Sequence, residues 1–321
     1  MPVTDISSPD MLKIGRLGEL FLQKGVLTVQ QIEEIAREQK EKKLRFGDAA
    51  LSLGLLSQEQ IDQALGEQFG YSSKNLLNGY ADSSLKFLHF PFSVEAEEIR
   101  GLRSELLLKF HDQEKIRIAI ISAAQGDGKS YMAASLAIAL SQVGKRTLLI
   151  DADLRAGGLH QYFSLGAPDG LSSVLAGRIP FSDALIQLMP NLFILPAGPR
   201  PPNPLEILRA PRIEQLLLAC SEQFDAFVID TYAASGASDA QMVAHQIGNA
   251  LLIAKKDATL LDDVKQTKSD MQAAGVNILG TIFNAYDARN VPDVSHPYGM
   301  PVWLARWILK LTGSSKNKSH V

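Results

Sequence analysis

A chain of 321 residues, 46% hydrophobic and 21% charged, is long enough for one large domain or two smaller ones, each with a buried core. Its formal net charge of −3 favours neither sign, which excludes bulk electrostatic attraction to nucleic acid or to acidic substrates. The one cysteine, Cys220, lies in the apolar run IEQLLLACSEQF and reads as a buried structural thiol without a disulfide partner.

The opening stretch MPVTDISSPDMLKIG lacks the basic start and apolar core of a signal peptide, and residues 1–10 are predicted to be disordered. No run of about 18 or more apolar residues follows anywhere, so the expected location is cytoplasmic, with any membrane contact peripheral at the inner face. Residues 11–70 contain a repeat. Arg16–Gln39 (RLGELFLQKGVLTVQQIEEIAREQ) aligns with Arg45–Gln68 (RFGDAALSLGLLSQEQIDQALGEQ) at an offset of 29 residues. Each unit predicts a short helix stopped at Gly25 or Gly54, then a second helix opened by a capping box, Thr28 with Gln31 or Ser57 with Gln60. Apolar residues at helical spacing give each helix a face that needs cover, and two hairpins can cover each other.

This repeat resembles the MshEN-type domain of type II secretion and pilus ATPases, many of which bind cyclic di-GMP. The resemblance implies a regulatory dinucleotide held by Arg16, Leu17, Gly18 and Gln39 from one unit and Arg45, Phe46, Gly47, Asp48 and Gln68 from the other. Two quasi-equivalent units suit a ligand with two equivalent halves: Arg supplies charge, Gly close backbone approach, and Gln an amide. A helical docking module with glycine caps is the alternative reading.

Residues 71–90 read as a linker, and a P-loop domain is predicted over 91–290. A charged helix carrying Glu95, Glu98, Arg100 and Arg103 leads into the strand IRIAIIS. There follow the loop AAQGDGKS, a helix closed by Gly144, and further apolar strands TLLIDAD, LFILPA, DAFVIDT, NALLIAK and NILGTIFN, alternating with helices. That alternation predicts a doubly wound, mostly parallel α/β sheet covered on both faces, preceded by the small all-helical repeat domain. Strand, glycine loop and helix form the context of a phosphate-binding loop. Ala123 replaces the usual first glycine, but the backbone of Gly126–Ser130 and the helix N-terminus supply most of the phosphate cradle. Lys129 is expected on the β- and γ-phosphates of ATP and Ser130 on Mg²⁺. Asp230 ends an apolar strand where a Walker B carboxylate stands. Asp151 and Asp153, two apart at another strand end, face the same side and call for a cation between or beside them.

SAAQGDGKS, LLIDADLR and FDAFVIDT resemble the Walker A, Walker A′ and Walker B motifs of bacterial tyrosine kinases (BY-kinases), in the MinD-like branch of P-loop ATPases. The arrangement is most similar to the EpsG type of exopolysaccharide biosynthesis. The resemblance implies ATP contacts from Gln125, Gly126, Asp127, Gly128, Lys129, Ser130, Tyr131 and Asn284, the last against adenine. It implies Mg²⁺ on Ser130, Asp151 and Asp230, Asp153 as base and Arg155 on phosphate charge or a neighbouring subunit. It also implies a homo-oligomer through Glu95, Glu98, Arg100 and Arg103, and a membrane-embedded polysaccharide co-polymerase (chain-length determinant) as partner. GLSSVLAGR and GPRPPNPLEIL match further family segments. The family's C-terminal tyrosine cluster has no counterpart, Tyr286 and Tyr298 being the tyrosines nearby. An ATPase switch and a non-catalytic scaffold are therefore alternatives. Residues 291–321 form a basic tail in which Trp303, Trp307, Ile308 and Leu311 oppose Arg306 and Lys310. It is read either as a membrane-surface helix or as a terminal helix packed on the domain.

Overall fold

The computed structural model describes residues 16–68, 82–209 and 211–285. The disordered N-terminus expected for 1–10, the tail at 291–321, and Tyr286 and Tyr298 lie outside the described residues. The chain divides into two units at Asn284, and almost everything described belongs to the first.

The helical repeat forms as its capping signals dictate. Helices α1 (Arg16–Gln23) and α2 (Val29–Lys42) make one hairpin, α3 (Phe46–Ser52) and α4 (Gln58–Gln68) the other. The Thr28 hydroxyl accepts from the Gln31 N–H at 3.3 Å while the Gln31 side chain accepts from the Thr28 N–H at 2.8 Å. Ser57 and Gln60 repeat the exchange at 3.2 and 2.8 Å. Across the hairpins α1 packs on α4 and α2 on α3, enclosing a core of Phe21, Ile32, Ile35, Ala49, Ala50, Leu56 and Ile61.

The second half of the expected linker is structured. Helix α5 (Lys86–His89) sends Leu85, Phe87 and Leu88 into the core of the α/β domain, so that domain extends N-terminally of Pro91. Helix α6 (Val94–Lys109), capped by the Ser93 hydroxyl, then leads into the sheet.

Seven strands run in the order β3–β4–β2–β5–β1–β6–β7. They are β1 (Ile116–Ser122), β2 (Thr147–Asp151), β3 (Ile186–Met189), β4 (Leu192–Leu195), β5 (Ala226–Asp230), β6 (Asn249–Lys255) and β7 (Asn277–Asn284). All neighbours are parallel except β3 on β4. The short edge strand β3, IQLM, was not among the six strands predicted. Burial on both faces explains the continuous apolar strands: along β1, Ile118 and Ile120 enter one core while Ala119 and Ile121 enter the other. Helix α7 (Lys129–Gln142) is buried from Met132 to Ser141, which its run of Ala and Leu permits. The remaining helices α8 (Leu159–Tyr162), α9 (Leu171–Leu175), α10 (Phe181–Ala184), α11 (Pro204–Ile207), α12 (Arg212–Ala219), α13 (Asp239–Ile247) and α14 (Leu261–Ala273) complete both layers. Cys220 is buried at the end of α12, and burial pushes its thiol up to about 11, as expected of an inert thiol. No helix among the described residues is long and apolar enough to cross a membrane.

Candidate nucleotide site

Strand β1 stands where the chain's winding reverses, with β5 on one side and β6 on the other, and the glycine loop leaves its carboxyl end there. Gly128 ends the loop as the N-cap of α7 at φ 96°, a left-handed backbone that a side chain would strain. Gln125 and Gly126 are exposed, leaving the loop open to a ligand at the positive end of α7. Lys129 is 7% exposed, and its ammonium donates to Ser122 Oγ at 3.0 Å.

Two carboxylates lie at the adjacent ends of β2 and β5, where Asp151 and Asp230 are register partners. Both are fully buried. Asp151 accepts from the N–H groups of Asp153 (3.1 Å) and Leu159 (3.2 Å), yet burial, then Asp230 and Asp153, hold its carboxyl well above the usual range. Burial pushes Asp230 up to about 7; the Ser130 hydroxyl and Lys129 ammonium oppose the rise, and the Asp153 charge adds to it. Neither carboxylate oxygen of Asp230 has a hydrogen-bond partner of normal geometry. A buried carboxylate with both oxygens unmet, beside a second carboxylate and a helix-opening serine, fits a divalent cation. Among the described residues no three metal-ligating side chains cluster. Mg²⁺ takes one or two carboxylates and completes its shell with phosphate and water.

Asp153 follows the strand in a turn, where its Oδ1 accepts from the N–H groups of Arg155 (3.1 Å) and Ala156 (2.8 Å). Its charge still reaches Asp151 and Asp230 through space, although its side chain does not join them as a third metal-ligating group. Arg155 differs from expectation. Its guanidinium forks onto Asp239 at 2.7 and 3.0 Å and lies 5.6 Å from the Tyr232 ring. A buried carboxylate at the start of α13 binds it more strongly than solvent does, so it is engaged within its own chain rather than held out toward phosphate or a neighbour.

Tyr131 is also corrected. Its hydroxyl accepts from the Phe87 N–H at 3.2 Å, its ring packs edge-on against Tyr162, and burial raises its pKa. The side chain serves the packing of α5 on α7; the backbone N–H alone remains in the phosphate-binding turn. The Asp127 carboxylate is turned from the phosphate position, accepting from the Ala124 N–H (3.0 Å) and the Thr259 hydroxyl (2.7 Å). Asn284, expected on adenine, donates through Nδ2 to the Asp127 carbonyl at 2.8 Å and so lies beside the loop. Family segments 170–178 and 198–208 lie together: the Leu171 N–H donates to the Pro196 carbonyl at 2.7 Å, and Ser172 Oγ to the Pro199 carbonyl at 2.7 Å.

On α6, Glu98 is exposed, but Arg100 is buried and donates to the Pro91 carbonyl at 2.5 Å and to Glu97 at 2.6 Å. Arg103 reaches the Ala139 carbonyl at 3.4 Å. Both arginines brace α6 on its own domain, whereas the sequence suggested an intersubunit role. In the helical repeat, Arg45 and Asp48 are exposed at the start of α3, and Leu17 and Phe46 pack on the helical core. Gln39 donates to the Leu44 carbonyl at 3.4 Å. The glycine at 47 has a packing reason, since a Cβ there would lie 3.3 Å from Ile61 Cγ2. The side chains of Arg16 and Gln68 lie outside the described residues.

Residues 113–296 match the ParA family, described as NUBPL iron-transfer P-loop NTPase. CapB of Staphylococcus aureus, which carries a tyrosine-protein kinase name, is 31% identical over 195 residues, covering 60% of this chain and 86% of CapB. The chain is a P-loop NTPase of the BY-kinase family. EpsB of Ralstonia solanacearum, another tyrosine-protein kinase by name, is 33% identical over 198 residues, but the chain spans only 26% of EpsB. Among solved structures, the kinase domain of the Escherichia coli tyrosine kinase ETK superposes with a TM-score of 0.61 at 29% identity, covering 67% of this chain and 85% of that one. The chimerical protein CapA2B2 gives 0.59 at 30% identity, covering 69% and 97%.

Ser122, Asp239 and Thr259 were missed from sequence. A polar residue opening a helix, as at 239, reads first as a cap, and a hydroxyl carries no spacing signal of its own.

Proposed function

We propose that this chain binds ATP with Mg²⁺ and acts as a kinase-like component of exopolysaccharide or capsule production. The observation that carries the reading is Asp230, buried at the strand end beside Lys129 and Ser130 with neither oxygen in a hydrogen bond of normal geometry. Backbone N–H groups of Gly126–Ser130 cradle the phosphates, and Lys129 leaves Ser122 to meet them. Ser130, Asp151 and Asp230 would hold Mg²⁺, which would supply neutralisation of the phosphate charge. Asp153, the most accessible of the three acids, takes the proton of the attacking hydroxyl or water. Asn284 meets the adenine.

In this reading the protein works in the cytoplasm at the inner face of the membrane, as a homo-oligomer beside a membrane-embedded polysaccharide co-polymerase, with the basic tail on the membrane surface. The helical repeat binds cyclic di-GMP and adjusts that activity; its two matching hairpins and exposed Arg45 support this. A second reading, ATP hydrolysis as a conformational switch without tyrosine transfer, is favoured by one observation: none of the three described tyrosines, 131, 162 and 232, is exposed.

Incubation with γ-labelled ATP, wild type against Lys129→Met, tests the site. Label on protein tyrosine that Lys129→Met lacks supports the kinase; free phosphate alone supports the switch; neither product overturns both. Calorimetry with cyclic di-GMP tests the regulator, which fails if wild type gives no heat or if Arg16→Ala with Arg45→Ala gives equal heat.

A further inference from the structure

An acid inside a phosphate-binding loop is an electrostatic liability. Left facing the ligand, Asp127 would repel the phosphates that Lys129 attracts. Its side chain is 1% exposed and both oxygens are engaged: Oδ2 by the Ala124 N–H at 3.0 Å within the loop, Oδ1 by the Thr259 hydroxyl at 2.7 Å from the turn after β6. That hydroxyl is oriented. Thr259 Oγ1 accepts from the Lys255 N–H at 2.8 Å, which leaves its single proton for Asp127. The turn is tight, with Asp257 at φ 58° and the Thr259 N–H returning to the Lys255 carbonyl at 3.0 Å.

The connection closes on itself through β7. The Lys256 N–H donates to the Asn284 carbonyl at 3.0 Å, and Asn284 Nδ2 donates to the Asp127 carbonyl at 2.8 Å. Phosphate loop, β6–α14 turn and the end of β7 thus form one ring of hydrogen bonds. Asn284 is the base-side residue of the proposed site, and Asp127 stands between the two glycines of the phosphate loop.

We infer that Thr259 is a positioning residue for the nucleotide: its hydroxyl holds the Asp127 carboxylate off the phosphates and ties the placement of the phosphate loop to that of Asn284. The inference rests on the reading of this loop as an ATP site. Loss of a hydrogen bond to a buried carboxylate corresponds to about a tenfold loss of affinity. Titration calorimetry with Mg²⁺·ATP on the full chain is therefore expected to give about tenfold weaker binding for Thr259→Val, and binding within about twofold of wild type for Thr259→Ser. Thermal melting of each apo variant separates this from misfolding. Because Thr259 and Asn284 belong to one ring, the Thr259→Val, Asn284→Ala double variant is expected to bind only as weakly as the worse single variant. Thr259→Val within twofold of wild type, Thr259→Ser as weak as Thr259→Val, or losses that multiply in the double variant would each overturn the inference while leaving the ATP reading intact. A wild type that binds no ATP overturns the ATP reading itself.

Discussion

Asp230→Asn is expected to stabilise the nucleotide-free protein, in a direction opposite to most substitutions of buried polar residues. In the unfolded chain this carboxyl ionises near 3.8; in the fold, burial delays ionisation to about 7. Between those values the unfolded chain has released a proton that the fold retains, so stability falls as pH rises from about 4 and levels off above about 7. The rise sets a ceiling of about 4 kcal/mol, and since Asp151 beside it shares the same penalty, we expect roughly half, about 2 kcal/mol. For a domain of this size that is about 5 °C in melting temperature. Scanning calorimetry of wild type and Asp230→Asn in EDTA at pH 4 and pH 8 measures it. The variant should match wild type at pH 4 and melt about 5 °C higher at pH 8. Added Mg²⁺·ATP should raise wild type alone. A variant that melts at or below wild type at pH 8 would refute the account of Asp230 as a carboxylate awaiting a cation.

Arg155→Ala strands the buried Asp239 carboxylate and is expected to cost about 2 kcal/mol in urea unfolding, with Arg155→Lys recovering only part because a single ammonium cannot fork onto both oxygens. Tyr131→Phe removes the bond from the Phe87 N–H, about 1 kcal/mol, and should leave the amount of label taken from γ-labelled ATP unchanged; a loss of label would make Tyr131 an acceptor after all. Gly47→Val crowds Ile61 and should destabilise the helical repeat by about 1–3 kcal/mol, lowering helical circular dichroism without altering ATP affinity.

The parts legible in sequence were those whose physics is local. Capping boxes at Thr28 and Ser57 fixed two helix starts, and apolar runs of β-branched residues marked six of seven strands. The run IQLM escaped because four residues at a sheet edge, half-exposed at Ile186, carry neither length nor continuous burial. At the site, the placement of the glycine loop and Lys129 after β1 and of the three acids at or just past strand ends was legible, because phosphate and cation chemistry calls for those residue types there. The directions of the Arg155, Tyr131, Asp127 and Arg100 side chains were not legible. Each is turned by a partner far off in sequence: Asp239, Phe87, Thr259 and the Pro91 carbonyl, respectively. A spacing pattern records where a side chain starts and says nothing about which distant group captures it.

The pairing of helices in the N-terminal repeat bears on how that region folds. Contacts run from α1 to α4 and from α3 to α2, and the 29-residue offset makes those two contacts equivalent. The hairpins are thus related as two subunits are about a twofold axis, each covering the apolar stripe of the other. Neither hairpin finds that cover within itself, so each is expected to hold its fold only with the other beside it. The two halves share that task unequally: Phe46 and the Ala49–Ala50 pair stand in one where Leu17 and Leu20–Phe21 stand in the other, so at two of these three positions the larger side chain comes from the first hairpin's leading helix.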